Sequence, residues 1–170
     1  MSNIKLNFEK IFQQAEKKRM ASKFNEAIDL YLKAKELSEP FTSSQLSCLM
    51  ALGDCYRMVG RYVDAGFSYT SAGSIAHLLG DKSSAVDTMV GLGLTLRAMG
   101  RHRDALKAFA KSEKIYKMLQ DKAGLAFCLW AMGGAYRIKG DLKKAIETFK
   151  EALKLFTQLK DKSGIGYCYC

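Results

Sequence analysis

Apolar residues recur three or four positions apart along most of the chain, the spacing that lines up side chains on one face of an α-helix. In residues 102–119 this stripe consists of Ala105, Leu106, Phe109, Ile115 and Leu119. A second helical stretch, residues 83–99, precedes it. The chain contains one proline in 170 residues and many Ala, Leu, Lys, Glu and Met residues, which are good helix formers. The pattern predicts an all-α protein.

Polar residues and glycines predict where these two helices begin and end. Asp81 stands just before residues 83–99, where its carboxylate can accept hydrogen bonds from the unpaired N–H groups of the first turn. Gly100 follows that stretch, and glycine tolerates the left-handed backbone that often ends a helix. We therefore expect a hairpin of two helices joined by a turn at Gly100.

The hairpin is repeated along the chain. Sets of residues 40 positions apart are Gly53/Gly93/Gly133, Arg57/Arg97/Arg137, Gly60/Gly100/Gly140, Ala65/Ala105/Ala145 and Tyr69/Phe109/Phe149. A further copy, displaced by 38, contains Ala15, Arg19, Ser22, Ala27, Tyr31 and Ala34. Because one hairpin cannot cover its own apolar face, such units stack. We expect one array over residues 1–170, with units at about 7–40, 45–80, 83–120 and 123–160, and with 161–170 as the start of a truncated fifth unit.

Small residues mark the place where the two helices of a unit cross. Gly93 and Ala105 allow the two backbones to approach closely, while Leu92, Leu96 and Phe109 are expected to fill the surrounding space. The same pattern appears in the neighbouring units as Leu52, Gly53, Tyr56, Ala65, Tyr69 and Ala72, and as Met132, Gly133, Tyr136, Ala145, Phe149 and Ala152. This pattern resembles the tetratricopeptide repeat. Its 40-residue period is similar to that of LGN/Pins-type adaptors and some bacterial regulators.

The resemblance implies an α-solenoid, a right-handed superhelix whose first helices line a concave groove that binds a peptide or helix. Helical geometry and the family analogy place nine candidate partner-binding residues in this groove: Arg19, Arg57, Arg97, Arg137, Trp130, Phe127, Asp87, Asp54 and Met50. Because a guanidinium group donates two parallel hydrogen bonds to a carboxylate, the arginines favour an acidic partner.

A structural role for the arginines is the alternative. Glu16 and Asp54 lie three residues before Arg19 and Arg57, so those two arginines are expected to pair locally. Leu94 and Gly134 occupy the matching places before Arg97 and Arg137, which are therefore expected to be the freer pair. Trp130 and Phe127 beside Arg137 predict an aromatic, basic pocket, although Trp130 is equally expected as a core residue between units.

Charge and chemistry define the rival hypotheses. The formal net charge is +10, of which +2 lies in residues 1–100 and +8 in residues 101–170. A basic half permits RNA binding, although charges on one helix face are usually only solvated. End-to-end self-association through Ile165, Tyr167 and Tyr169 is a further alternative.

No nucleophile, acid–base pair, phosphate loop or metal-ligand spacing is evident in the sequence. We therefore expect a non-catalytic scaffold or adaptor without cofactor or metal.

Location follows from what the sequence does not contain. The amino terminus has no apolar run of signal-peptide length, and no stretch reaches the roughly 18 apolar residues of a membrane span. Five cysteines without a framework of paired spacings suit a reducing compartment. We expect a cytoplasmic protein.

Overall fold

The computed structural model describes residues 3–169, and these residues form helices and turns without a strand. The helices are α1 (Asn3–Met20), α2 (Phe24–Leu37), α3 (Ser43–Met58), α4 (Tyr62–Leu78), α5 (Lys82–Ala98), α6 (His102–Leu119), α7 (Lys122–Lys139), α8 (Leu142–Gln158) and α9 (Lys162–Tyr169). The predicted all-α class is confirmed. Within the described residues, no helix combines the length and the apolar character that a membrane span needs.

The chain divides into two compact units between Gly91 and Leu92, inside helix α5. In the first unit, α1 packs on α2, α2 on α3 and α3 on α4. In the second, α6 packs on α7, α7 on α8 and α8 on α9. Each unit is therefore built from consecutive antiparallel helices, the arrangement expected of helical-hairpin repeats.

The predicted helix ends agree with the structure to within one residue in the third hairpin. Helix α5 spans Lys82–Ala98 against the predicted 83–99, and α6 spans the predicted 102–119. The carboxylate of Asp81 accepts a hydrogen bond of 2.9 Å from the backbone N–H of Ser84. Gly100 has a φ of 78°, the left-handed conformation that glycine adopts without a Cβ clash. Helix α9 occupies Lys162–Tyr169 of the predicted fifth unit, and Cys170 lies outside the described residues.

Close approach at the repeat glycines explains why they recur. A Cβ atom on Gly93 would lie 2.6 Å from Cε1 of Phe109, and one on Gly133 would lie 2.9 Å from the ring of Phe149. Phe109 and Ala105 are fully buried. In the three hairpins that have this glycine, the aromatic residue of the second helix thus lies directly on the glycine of its own first helix. The sequence pattern predicted a close approach at Gly93 with Phe109 in the space around it.

Candidate functional site

The second unit contains a cleft of about 310 Å³ between the carboxyl-terminal parts of α5 and α7 and the helices α8 and α9. Its lining includes Arg97, Trp130, Gly134, Arg137, Phe149 and Tyr167. Three of the nine predicted site residues therefore meet here. Phe127 contacts this group from outside the cleft, since its ring centroid lies 5.3 Å from that of Trp130.

Arg97 reaches from α5 across the backbone of α7. Its Nη1 donates a 3.1 Å hydrogen bond to the carbonyl oxygen of Ala131, and its guanidinium lies 5.7 Å from the ring centroid of Trp130. A Cβ on Gly134 would lie 2.5 Å from Nη1, so the glycine makes room for the guanidinium. The expectation that Arg97 is a freer arginine was wrong. The missing side chain at position 134 lets Arg97 bond to a helix carbonyl.

Trp130 belongs to both the core and the cleft. Its indole Nε1 donates a 3.0 Å hydrogen bond to the carbonyl oxygen of Tyr167, and the two rings lie 5.4 Å apart. Its other side packs against the buried cluster of Ala126, Leu129, Ala152 and Phe156. Because the indole is only half-buried, it supplies one apolar wall of the cleft while it joins α7 to α9.

Arg137 differs from the other three repeat arginines. It is exposed at the last turn of α7 and lines the cleft. Among residues 3–169 it has no hydrogen-bond or ion-pair partner. Its charge is therefore available to a ligand in the cleft.

In the first unit, by contrast, the predicted local pairs of the arginines are confirmed. Nη2 of Arg19 lies 2.6 Å from Oε2 of Glu16, and the hydroxyl of Tyr31 donates to the same carboxylate. Burial works to raise the pKa of Glu16, but the hydrogen bonds from Arg19 and Tyr31 outweigh it and hold the pKa below its usual value. Arg19 is thus fixed by an acid and a tyrosine of its own hairpin.

The second hairpin repeats this arrangement. Nη2 of Arg57 lies 3.6 Å from Oδ1 of Asp54, and the hydroxyl of Tyr69 donates to the same oxygen at 2.7 Å. Burial, and then the nearby charge of Asp54, raise the pKa of the Tyr69 hydroxyl. We call each such set of an acid, an arginine and a tyrosine a carboxylate triad.

The other predicted residues of the first unit are placed as follows. Met50 is half-buried against the cluster of Leu46, Ala72, Ile75 and Ala76. Asp87 is half-buried on α5. Their role in binding remains a prediction.

Sequence reasoning missed Gly134 and Tyr167 as cleft residues. A signal for Gly134 is present in the repeat alignment. The hairpins with an acid before the arginine, Glu16 or Asp54, carry a tyrosine on the second helix. Those with Leu94 or Gly134 carry a phenylalanine instead. In these four hairpins the aromatic residue of the second helix has a hydroxyl only where a carboxylate accepts its hydrogen bond. A phenylalanine at this position therefore marks an arginine without a carboxylate triad.

The buried cysteines are packing residues. Burial raises the pKa of the Cys48 and Cys128 thiols to about 12, and that of Cys55 to about 11. At neutral pH these thiols are protonated and therefore poor nucleophiles. Across the part of the chain that the structure describes, no group of three or more His, Cys, Asp or Glu side chains is close enough to hold a metal ion.

Comparison with protein families finds one match, which covers less than half of the chain. The family described as "Tetratricopeptide repeat" matches residues 84–158. No curated protein matches the chain by sequence. These findings do not extend to the LGN/Pins type, so that part of the expected resemblance stays a hypothesis.

Solved structures share the fold. The chain is similar to aspartyl phosphate phosphatase F from Bacillus subtilis, with a TM-score of 0.86, 16% identity, and coverage of 99% of this chain and 45% of that one. The Rap conjugation gene regulator of the plasmid pLS20, solved in complex with the Phr* peptide, matches with a TM-score of 0.82, 17% identity, and coverage of 97% and 52%. BtubC from P. vanneervenii matches with a TM-score of 0.74, 18% identity, and coverage of 91% and 64%. The chain spans about half the length of the phosphatase and Rap structures.

Proposed function

We propose that this chain is a non-catalytic scaffold module that binds an acidic peptide segment at the cleft formed by Arg97, Trp130, Arg137 and Tyr167. The observation that carries the proposal is Arg137, an exposed guanidinium in an aromatic cleft without an ion-pair partner among residues 3–169. A carboxylate of the ligand would pair with Arg137, and an apolar side chain beside it would pack on Trp130 and Tyr167.

The repeat-internal comparison supports this assignment. Arg19 and Arg57 already pair with carboxylates of their own hairpins, so a ligand would have to displace an internal acid to reach them. Gly134 stands where the acid would be in the fourth hairpin. An acidic ligand at Arg137 would supply the carboxylate that the first two hairpins supply internally.

The peptide class of ligand also has support from a similar fold. One similar structure, the Rap regulator of pLS20, was solved with a peptide bound. At 17% identity that likeness shows the fold alone, so the ligand chemistry proposed here rests on the residues of the cleft.

Fluorescence anisotropy with labelled peptides tests the proposal. The probes are decapeptides that carry two glutamates and one phenylalanine at varied spacing, and the same peptides with glutamine in place of glutamate. We expect the acidic set to bind and the neutral set to bind weakly. Arg137→Gln should weaken binding about fivefold, since an exposed ion pair contributes up to about 1 kcal/mol.

Arg103→Gln is the matched control, because Arg103 is an exposed arginine on α6 outside the cleft. Equal losses for Arg137→Gln and Arg103→Gln would show that only the overall positive charge matters. Equal binding of the acidic and neutral peptides would overturn the proposal.

RNA binding remains the second candidate because α6 has a basic outer face. Lys107, Lys111 and Lys114 are all exposed on it. A single-stranded oligonucleotide of uridines measured at several salt concentrations separates the two hypotheses. RNA held by these lysines loses affinity steeply with salt, because counterion release drives that binding. If the chain binds RNA, Lys111→Gln reduces the RNA affinity. Arg137→Gln then reduces that affinity no more than the control variant Arg103→Gln does.

A further inference from the structure

The lining of the cleft carries positive charge and no negative charge. Arg97 and Arg137 both line it, and among the described residues no aspartate or glutamate does. Gly134 occupies the place where the first two hairpins have an acid. The hydrogen bond from Arg97 to the carbonyl oxygen of Ala131 fixes that guanidinium in position, and a neutral acceptor does not cancel its charge. The cleft therefore suits a ligand group that carries more than one negative charge.

Aromatic rings form the walls around this charge. The ring centroids of Trp130 and Tyr167 lie 5.4 Å apart, and Phe149 and Tyr169 also line the cleft. Tyr167 is 50% exposed, so its ring keeps surface on which a ligand can pack. Aromatic rings pack favourably against one another with centroids about 4.5–7 Å apart. These walls favour a ligand side chain that itself contains an aromatic ring.

The other hairpins do not combine these two features. In the fourth hairpin an aromatic residue, Trp130, stands three positions before the repeat glycine, and no acid follows that glycine. The residues at the same two places are Phe12 and Glu16 in the first hairpin, Met50 and Asp54 in the second, and Val90 and Leu94 in the third. An aromatic ring and an arginine without a neighbouring acid thus occur together in one hairpin. The helical-hairpin fold does not require this combination, so we attribute it to a ligand.

The volume of the cleft limits how much of a ligand it encloses. At about 310 Å³, it is at the lower end of the range of about 300–1,000 Å³ that is usual for ligand pockets. A glutamate and a neighbouring phenylalanine would have to enter this space as two side chains. A phosphorylated tyrosine carries the ring and the negative charge on one side chain.

We propose that the cleft binds the side chain of a phosphorylated tyrosine in the peptide. This inference rests on the proposed function, because it names the acidic residue that the peptide presents. A phosphate group has a charge of about −1.5 to −2 at pH 7 and three acceptor oxygens. The guanidinium of Arg137 donates two parallel hydrogen bonds to that phosphate, and the phenyl ring packs on Trp130 and Tyr167.

The same lining is unsuitable for a nucleotide, which also joins an aromatic ring to a phosphate. A base is recognised through hydrogen bonds to the donors and acceptors along its edges. Within residues 3–169, no side chain with a carboxamide or a carboxylate lines the cleft to make those bonds. The phenyl ring of phosphotyrosine has no polar edge groups and leaves none unpaired.

The fluorescence of Trp130 tests the inference in the full chain. Trp130 is the single tryptophan of the sequence, so its emission reports on the cleft alone. The ligands are three decapeptides that differ only in a central phosphotyrosine, tyrosine or phosphoserine, and the glutamate–phenylalanine decapeptides used to test the proposed function. We expect the phosphotyrosine peptide to bind at least tenfold more tightly than each of the others, since only its side chain supplies both a ring and a doubly charged group.

Tyr167→Ser tests the aromatic wall separately. This variant removes the ring but keeps the backbone carbonyl that accepts the hydrogen bond from Trp130 Nε1. It should weaken binding of the phosphotyrosine peptide about fivefold, because the packing of two rings is lost, and leave binding of the phosphoserine peptide unchanged. Phe67→Ser is the matched control, because Phe67 is an aromatic residue that is 71% exposed on α4 and does not line the cleft. It should change neither affinity.

The inference and the proposed function fail in different ways. If the glutamate–phenylalanine peptides bind as tightly as the phosphotyrosine peptide, the acidic-peptide function stands and the inference is wrong. Equal binding of phosphoserine and phosphotyrosine also overturns the inference, because the ring then contributes nothing. Equal effects of Tyr167→Ser and Phe67→Ser would do the same. If none of the peptides binds, both the inference and the proposed function fall.

Discussion

Replacing Gly93 with alanine tests whether an aromatic ring lies directly on the repeat glycine. A helical glycine is about 1 kcal/mol less favourable than alanine, so propensity alone predicts a more stable variant. The structure predicts the opposite, because the new Cβ would lie 2.6 Å from Cε1 of Phe109, whose side chain is fully buried. Overpacking of this kind costs about 2 kcal/mol, which leaves a net loss in unfolding free energy of about 1 kcal/mol.

Gly134→Ala is the matched comparison, since it makes the same change in a helix of the same array. Its Cβ would meet only the end of a flexible side chain, Nη1 of Arg97. Moving that guanidinium loses the hydrogen bond to Ala131, worth about 1 kcal/mol. The gain in helix propensity of about 1 kcal/mol offsets this loss. We expect the unfolding free energy of Gly134→Ala to stay within about 0.5 kcal/mol of the unaltered chain.

Urea unfolding followed by far-UV circular dichroism measures both variants. The slope against urea should stay unchanged, so that midpoints can be compared directly. The reasoning fails if Gly93→Ala is as stable as the parent chain, since Phe109 would then have room to move. It also fails if Gly134→Ala loses as much as Gly93→Ala, since the guanidinium of Arg97 would then be part of a rigid core.

Three further variants or treatments have defined outcomes. Gln120→Gly should raise the unfolding free energy by about 1 kcal/mol, because Gln120 ends α6 in the left-handed conformation, with a φ of 56°. Glycine already occupies the equivalent position of the preceding hairpin, at Gly80. An unchanged urea midpoint would contradict this expectation. The advantage of the parent chain over Glu16→Gln should be present at pH 7 and should be lost progressively as the pH falls below about 4.3 and through the lowered pKa of Glu16, since the hydrogen bonds from Arg19 and Tyr31 stabilise only the ionised form. A difference in unfolding free energy that does not shrink as the pH falls would refute this. Iodoacetamide should leave Cys128 unmodified until urea unfolds the chain, because burial raises the pKa of its thiol to about 12. Mass spectrometry measures the modification, and modified Cys128 in the native chain would contradict this expectation.

Much of the fold follows from the sequence because the repeat samples each position several times. A glycine at one position means little, but Gly53, Gly93 and Gly133 at equal spacing indicate a close approach that every unit shares. The helix ends were predictable for the same reason, since Asp81 and Gly100 supply chemistry that caps and stops helices independently of distant residues.

The cleft was only partly predictable. Local pairs such as Glu16 with Arg19 follow from a spacing of three residues on one helix. The contact of Arg97 with Ala131 joins residues 34 apart, and its distance depends on how two helices cross. The role of Tyr167 likewise depends on α9 packing beside α7, which no local pattern encodes. Spacing identified the basic and aromatic side chains, but only packing shows which of them meet.

The four repeat arginines occupy the same position in each hairpin, but their hydrogen-bond and ion-pair partners differ. A buried tyrosine hydroxyl needs a partner, and in the first two hairpins a carboxylate serves both the tyrosine and the arginine. Replacing the tyrosine by phenylalanine removes that need, so the acid can be lost without leaving a buried donor unpaired. Once the acid is lost, the guanidinium seeks another acceptor. Arg97 finds the backbone of α7, because Gly134 leaves space for it, whereas Arg137 extends into the cleft with its charge exposed. Phenylalanine in place of tyrosine on the second helix therefore allows the arginines of the third and fourth hairpins to stand without an internal carboxylate, because no buried hydroxyl is left unpaired.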